Sequence, residues 1–372
     1  MYEAGDFLKR KGRFIFSLKL TVSLSLVAIA AFCIYTRLPQ CFDSQAAAVL
    51  TAAAVTMNDG EYKTEEVTSP KENIEYEEQT EPTEETKKIT VSSTVKKERD
   101  KSDYYDSYAE HKGSQKYAVT EKTIGDDGTK VDLCYIKNNT GLDVDFKKLL
   151  NDELTFSVKS NSDSPQVLIY HTHTNEGYLD EDVDYFYSDY YSRTQNTDFN
   201  VVAVGEAITN VLNKNGIKTL HDKTVHDSAY KGAYDRSVQT VLSDMEEHKD
   251  IKVVIDIHRD ALGTEKNKVK PVFEYNGKKG AQIMILAGCD PNGTRNFTNW
   301  KNNLNFALKI QNTAEKLYPN MTRPLDFDYF AYNEYVCDGS LLIEIGADGN
   351  SIDEAIYSGE LLGDVLSKVL KK

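Results

Sequence analysis

From about residue 119 to its end, the chain reads as an α/β domain of three layers, with helices on both faces of a largely parallel sheet. Two observations lead there. Short apolar runs of strand length alternate with longer segments whose apolar residues recur at helical spacing, the pattern of βαβ units. Three of the short runs also end in His, Glu or Asp, and open α/β sheets bind their ligands beyond the carboxyl ends of the strands.

Val167, Leu168, Ile169 and Tyr170 follow Pro165 and predict a buried strand. Residues 200–215 place Val201, Val204, Ile208, Val211 and Leu212 on one helical face, with Gly216 where a helix C-cap belongs. Residues 217–220 read as a strand, and residues 234–248 as a helix burying Val238, Val241, Leu242 and Met245. Residues 253–257 form another buried strand. Asn276 and Gly277 separate the apolar residues of 271–275 and 281–287, which predicts a hairpin. Residues 300–318 are helical, and residues 341–345 are a strand interrupted by the carboxylate of Glu344. Ser351 and Glu354 form a capping-box pattern opening a last helix, with Leu362, Val365, Leu366 and Val369 inward. Residues 119–164 look like a less regular lead-in.

The first hundred residues are of another kind. Lys9, Arg10, Lys11 and Arg13 precede an apolar stretch in which residues 20–36 carry no charge; Lys19 can snorkel, and Arg37 closes the run. Residues 14–37 are therefore expected to be a membrane anchor. Residues 1–13 would stay cytoplasmic, with everything beyond the anchor extracytoplasmic. A cleaved signal peptide competes with this reading, but the small residues Ala46, Ala47 and Ala48 lie about ten residues past the apolar run, further than a cleavage site sits. Residues 45–118, rich in Glu, Thr and Pro and then in alternating Lys and Asp, read as a disordered acidic linker. Over the whole chain 59 acids face 44 Lys and Arg, a formal charge of −15, which argues against a nucleic-acid binder. Five scattered cysteines without a CxxC exclude a disulfide-stapled scaffold and a zinc ribbon.

The chemistry gathers at the strand ends. His173 and Glu176 stand three residues apart, so on a turn they can bite one cation. His258, at the end of a neighbouring strand, completes a His₂Glu set, a known catalytic zinc arrangement that leaves one position for water. His171 competes with His173, because residues two apart in an extended segment point the same way. His173 is preferred since it brings Glu176 with it, leaving His171 behind the ligands or purely structural. Glu344, an acid among Leu341, Leu342, Ile343 and Ile345, has the raised pKa expected of a buried carboxyl and suits a general base. Alternatively it pairs with a buried Arg or caps the loop of 346–350. Arg259 and Asp260 either orient the neighbouring ligand or form a surface ion pair. His221 and His226, with Asp222 and Asp227, are either a second metal site or exposed loop residues. Tyr178, Tyr185, Tyr187, Tyr190 and Tyr191 either line a groove for sugars or peptides or pack over the sheet.

Taken together, residues 167–178, 200–205, 221–227, 254–261 and 341–350 resemble the stage II sporulation protein P family, over the stretch from about residue 140 to the end. The resemblance implies a three-layer α/β/α, zinc-amidase-like (phosphorylase/hydrolase-like) fold. It implies a zinc-dependent N-acetylmuramoyl-L-alanine amidase with an additional endopeptidase activity on peptide cross-links. It also implies a role in degrading septal peptidoglycan during engulfment, between mother cell and forespore, alongside stage II sporulation proteins D and M. More distantly the domain resembles zinc amidases that carry two strand-end histidines and a late E-x-G-x-x-x-N motif, which fall here on His173, His258 and the residues from Glu344 to Asn350. Those amidases take their ligand glutamate from the start of the helix after the first strand, near Asn196 here. No glutamate stands between Glu181 and Glu206, so Glu176 supplies the carboxylate, in the manner of zinc carboxypeptidases. The expectation is then zinc on His173, Glu176 and His258, Glu344 as general base, and Arg259, Asp260, His171 and Tyr178 behind the ligands or against substrate. A metallopeptidase confined to stem peptides, or an inactive module that binds wall or a partner, is the alternative.

Overall fold

The structure, a computed structural model, describes residues 114–371, which lie within one compact unit, Ser93–Lys372. The expected cytoplasmic segment and membrane anchor lie outside the described residues, as does nearly all of the expected linker. Among the described residues no helix is long and apolar enough to cross a membrane.

In chain order the elements are β1 (Lys116–Lys122), β2 (Thr129–Val131), β3 (Cys134–Asn138), α1 (Phe146–Asn151), β4 (Val167–Tyr170), β5 (Tyr185–Tyr187), α2 (Val201–Lys214), β6 (Thr219–His221), α3 (Ala233–Glu247), β7 (Val253–Asp260), β8 (Gly263–Thr264), β9 (Asn267–Tyr275), β10 (Lys278–Ala281), β11 (Ile283–Gly288), α4 (Trp300–Leu317), β12 (Leu325–Asp328), a 3₁₀ turn (Glu334–Val336), β13 (Gly339–Ala347) and α5 (Ile352–Leu370). The main sheet has eight strands in the order β2-β3-β12-β11-β13-β7-β4-β6. It is largely parallel, as expected; β11 against β13 and β2 against β3 are its antiparallel pairs.

Strand alternation explains the layering. Val167, Ile169, Val253, Ile255, Ile257, Leu341, Ile343 and Ile345 all join one core with the inner faces of α1, α2, α4 and α5. Leu168, Tyr170 and Val254 point to the opposite face and meet Val241 of α3. Both faces of β4 and β7 are thus covered, which is why these strands read as unbroken apolar runs. The helix boundaries follow local chemistry. Asn200 caps α2 by accepting from Val202 N (3.0 Å), and Ser351 with Glu354 forms the full capping box of α5.

Several local expectations needed correction. Leu242 is 47% exposed, because α3 covers only one end of the sheet and turns that side outward. The strand expected over 217–220 sits slightly later, as β6. The Asn276–Gly277 turn does form, with φ of 52° and 69°, and joins β9 to β10. Its outgoing arm is not one strand over 281–287, however. The chain switches sheets at Gln282, and β11 then enters the main sheet beside β13. The supposed irregular lead-in supplies β2 and β3 to the main sheet and β1 to a second sheet, ordered β10-β9-β1-β5 with β8 on β9. Tyr185 and Tyr187 belong to β5 of that second sheet.

Helices α2 and α5 pack closely because α5 presents Gly359 and Gly363 to Val204, Ile208 and Val211. A Cβ on Gly363 would stand 2.7 Å from the Val211 Cβ and 3.1 Å from the Ile208 carbonyl oxygen. Gly363→Ala should therefore destabilise the fold by about 1–2 kcal/mol, overpacking outweighing the gain in helix propensity; urea unfolding measures it. A second expectation concerns Glu334, which is fully buried in the 3₁₀ turn. Its Oε2 accepts from Gly288 N (2.9 Å), and Oε1 has no hydrogen-bond partner. Burial, chiefly, holds this carboxyl well above its ordinary 4.5. The native state keeps the proton that the unfolded chain releases above that pH, so stability falls with rising pH by up to about 1.4 kcal/mol per unit. Glu334→Gln removes this loss: thermal melts should show the variant gaining on the parent as the pH rises above 5, until the native carboxyl ionises.

Candidate metal centre

The parallel register of β4, β7 and β13 sets three strand ends level. Tyr170 lies beside Asp256, and Glu344 lies beside His258. After Tyr170 the chain leaves the sheet in a tight turn in which Glu176 N donates to His173 O (3.1 Å). That turn places the His173 and Glu176 side chains together: His173 Nδ1 is 3.2 Å from Glu176 Oε1. From β7, His258 Nδ1 comes to 3.5 Å of Glu176 Oε2. The ligand atoms of His173, Glu176 and His258 all lie within 4.8 Å of one another, and all three residues are buried. Two imidazole nitrogens and a carboxylate oxygen gathered this closely fit one small divalent cation, and the N,N,O donor set suits zinc.

Asp256 is the residue that sequence reasoning passed over. It is buried among apolar strand residues, and its Oδ1 lies 2.9 Å from His258 Nε2, in ion-pair contact on the side of the ring away from Glu176. Thr172 holds it in place, donating from its backbone N–H to Oδ1 (2.8 Å) and from its hydroxyl to Oδ2 (2.6 Å). The spacing Asp256-Ile257-His258 could have signalled it, since alternate strand residues share a face. Burial pushes the His258 imidazole down, but Asp256 and Glu176 more than reverse this and hold it well above its usual value. The same burial raises Glu176, and His258, His173 and Arg259 bring it well below the ordinary carboxylate range. Two carboxylates on one imidazole call for positive charge between them, which a cation would supply as a proton does.

Glu344 faces this group from β13. The residue is part-exposed, yet its Oε2 is closed off from water and without a hydrogen-bond partner. Burial raises its carboxyl to about 8, with Asp260 adding to the effect and His258 opposing it. Glu344 therefore differs from Glu176 in kind: one carboxyl is held ionised among cations, the other retains a proton near neutrality. The buried arginine considered as a partner for Glu344 is Arg323, but it donates to Asp260 (2.8 Å) instead.

The remaining candidates are sorted by geometry. Arg259 donates its backbone N–H to Glu176 Oε2 (3.1 Å), while its guanidinium binds Gly177 O and Ser192 O (2.9 and 2.6 Å) and ties down the loop after the ligands. Asp260 joins Arg323 rather than a ligand. His171 does not share a direction with His173, because the turn after Tyr170 breaks the extended geometry. Its Nε2 is 2.9 Å from His221 Nε2, and His221 in turn contacts Glu206 (3.1 Å), with Gly205 of α2 leaving room for both rings. His226 is buried, not an exposed loop residue or a ligand; its ring nitrogens meet His171 O and Thr240 Oγ1 (2.7 and 2.9 Å). Tyr178 is likewise fully buried, with its hydroxyl donating to Ile345 O (2.9 Å), so it braces β13 and does not face substrate. Two aromatic residues of the α3 region do border the centre. Tyr230 stacks on His173 (4.6 Å between ring centroids) and Tyr234 stacks on His258 (6.3 Å). Arg193 lies over Tyr230 and pairs with Asp227 beside Glu176.

Fold and site define a class: an α/β protein whose parallel strands bring a buried His/Glu/His cluster, able to hold a metal ion, to one sheet edge opposite a carboxyl raised by burial. The chain belongs to the stage II sporulation protein P family, whose description matches residues 42–367. It is 26% identical over 228 residues to stage II sporulation protein P of Bacillus subtilis (strain 168). That match spans 57% of this chain and 52% of the other, so the chain spans about half the length of the curated relative it matches. Among solved structures it is similar to the N-acetylmuramoyl-L-alanine amidase from Clostridium difficile 630, with 17% identity, a TM-score of 0.32, and coverage of 56% of this chain and 96% of that one. It is also similar to the CwlD amidase from Clostridioides difficile in complex with the GerS lipoprotein, with 14% identity, a TM-score of 0.31, and coverage of 55% and 98%.

Asp256→Asn keeps the shape of the side chain and removes its charge. It should weaken zinc binding by about 10–100-fold, the usual cost of losing a group behind a metal-bound histidine, and should also lower the melting temperature of the metal-free protein, since it breaks a buried ion pair. Competition with a chromophoric chelator reads the affinity.

Proposed function

We propose that this chain is a zinc-dependent peptidoglycan hydrolase that cleaves the N-acetylmuramoyl-L-alanine amide bond during engulfment, with a further action on stem-peptide cross-links. The observation that carries this reading is the His173–Glu176–His258 cluster facing the raised carboxyl of Glu344 in a member of the stage II sporulation protein P family. We also propose that residues 14–37 anchor it once in the cell membrane, that the domain works outside the cytoplasm in the septal space, and that stage II sporulation proteins D and M act beside it. Family membership supports the setting, and the charge pattern of residues 9–37 supports the anchor.

His173, Glu176 and His258 would hold the zinc, which when bound supplies a Lewis acid for the amide carbonyl and a more acidic water. Asp256 keeps the His258 ring turned so that Nδ1 faces the cluster. Glu344 moves the proton. It takes one from the attacking water as the new C–O bond forms, and returns it to the alanine nitrogen as the C–N bond breaks. The glycan is left with a lactyl carboxylate, and the peptide leaves with a free amino terminus. A carboxyl poised near 8 can both accept and give a proton at neutral pH, which a fully ionised one does poorly.

Mass spectrometry of digested peptidoglycan tests the reading. Muramic acid free of peptide, together with peptides beginning at L-alanine, is the expected product pair. Cleavage confined to cross-links would replace the amidase with a stem-peptide metallopeptidase, and tight wall binding without products would leave only a binding module. His258→Ala should abolish both activity and bound zinc; full zinc occupancy in that variant would remove His258 from the ligands. Glu344→Gln should lower turnover by roughly a hundredfold or more while zinc content stays at the parental level, and near-normal turnover would falsify the general-base role.

A further inference from the structure

We infer that the turn after β12 is a sugar-binding platform, on which Phe330 and Tyr332 receive a pyranose ring of the glycan strand next to the scissile amide. The inference rests on the reading of peptidoglycan as substrate and adds where its sugar lies.

Exposed aromatic surface is concentrated at this turn. Eight large apolar side chains are exposed among the described residues; Tyr329, Phe330 and Tyr335 of this turn are three of them, and Tyr230 on His173 is a fourth. The rings form a continuous run into the metal centre. Phe330 lies 5.1 Å from Tyr332, Tyr332 lies 5.6 Å from Tyr234, and Tyr234 meets both His173 (5.5 Å) and His258 (6.3 Å). Phe330 is 44% exposed at the outer end. A pyranose presents a face of C–H bonds that stacks on such rings.

The turn is held, not loose. Tyr332 adopts φ +34° and Asn333 φ +61°. The left-handed region is uncommon for a bulky tyrosine, and such strain gathers at ligand clamps. Asn333 Nδ2 donates to Tyr234 O and Ser237 Oγ (3.2 and 3.1 Å), tying the turn to the helix that carries Tyr234. At the other end the Tyr329 hydroxyl donates to Thr140 O (2.8 Å). Phe330 and Tyr332 lie in the chain between these two fixed points.

Charge selects the sugar over the peptide. Among the carboxyls acting on the Tyr332 phenol, Asp326 and Asp328 add negative charge there. A stem peptide bearing carboxylates is disfavoured there, whereas a neutral sugar ring is not. Of the two guanidinium groups near Glu176, that of Arg193 lies over Tyr230, at the other end of the run of contacts. The exposed aromatic end thus suits the sugar half of a substrate whose amide joins sugar to peptide.

The test measures binding apart from cleavage. The full chain is titrated with chitotetraose, a neutral N-acetylglucosamine tetramer without peptide, and separately with a free L-alanyl-γ-D-glutamyl peptide. Phe330→Ala should weaken chitotetraose by about tenfold, the scale of one lost stacking contact, and leave the peptide affinity unchanged. Phe330→Trp should restore chitotetraose binding, and thermal melts confirm that both variants fold. On whole peptidoglycan, Phe330→Ala should raise KM with kcat preserved. No chitotetraose binding by the parent, equal binding by Phe330→Ala, or a loss confined to the peptide would each overturn the platform. If glycan binding follows Phe330 but no amide is cut, the platform stands and the amidase reading falls; if the amide is cut with glycan binding indifferent to Phe330, the reverse holds.

Discussion

Two carboxylates, Glu176 and Asp256, stand on opposite sides of one buried imidazole, His258. Burying charge costs several kcal/mol per group unless it is paired and hydrogen-bonded, and much of the surrounding structure serves that requirement. Thr172 gives Asp256 two hydrogen bonds. Arg259 gives Glu176 a backbone N–H, and its guanidinium sits close enough to deepen the same effect. Arg193 adds a second guanidinium near Glu176 and is itself balanced by Asp227. Positive charge at the cluster, as proton or cation, completes the arrangement, so holding a metal and keeping the fold neutral inside are one electrostatic demand.

Glu344 answers to the same field with the opposite result. It has no hydrogen-bond donor on Oε2, and Asp260 and Glu176 both disfavour a further negative charge. A few ångströms of placement therefore separate a carboxyl held below the ordinary range from one held above it. That division of labour between two acids is what hydrolysis of an amide needs: one group to hold, another to carry protons. The strand register produces it, because Glu344 on β13 falls level with His258 on β7. Beyond this pair the aromatic run from Tyr234 to Phe330 extends the centre outward along one side, and Arg193 ends it on the other.

Much of this was legible in the residues. The apolar runs that became β4, β7 and β13, the stripes of α2 and α5, the capping box and the Asn276–Gly277 turn all depend on local periodicity and turn chemistry, which act within a few residues. His173, Glu176, His258 and Glu344 could be picked out because acids and imidazoles at the ends of buried strands are unusual there. Apart from Asp256, whose spacing from His258 on one strand face was a local sign, what the residues did not reveal had none. The switch of sheets at Gln282 and the recruitment of β1 into a second sheet are pairings between distant segments. The direction of His171 turned on where the chain leaves the sheet after Tyr170, not on its spacing from His173.

The amino-acid order by itself determined the alternation of strand and helix, the carboxyl-edge position of the chemistry and the ligand pair within one turn, since each follows from spacing along the backbone. Only the tertiary structure decided that Asp256 rather than His171 stands behind the metal candidates, that Arg323 answers Asp260 rather than Glu344, and that aromatic rings from two distant segments meet at the centre. Those choices depend on which strands lie side by side and on how deeply each charge is buried, and both are properties of the packed molecule.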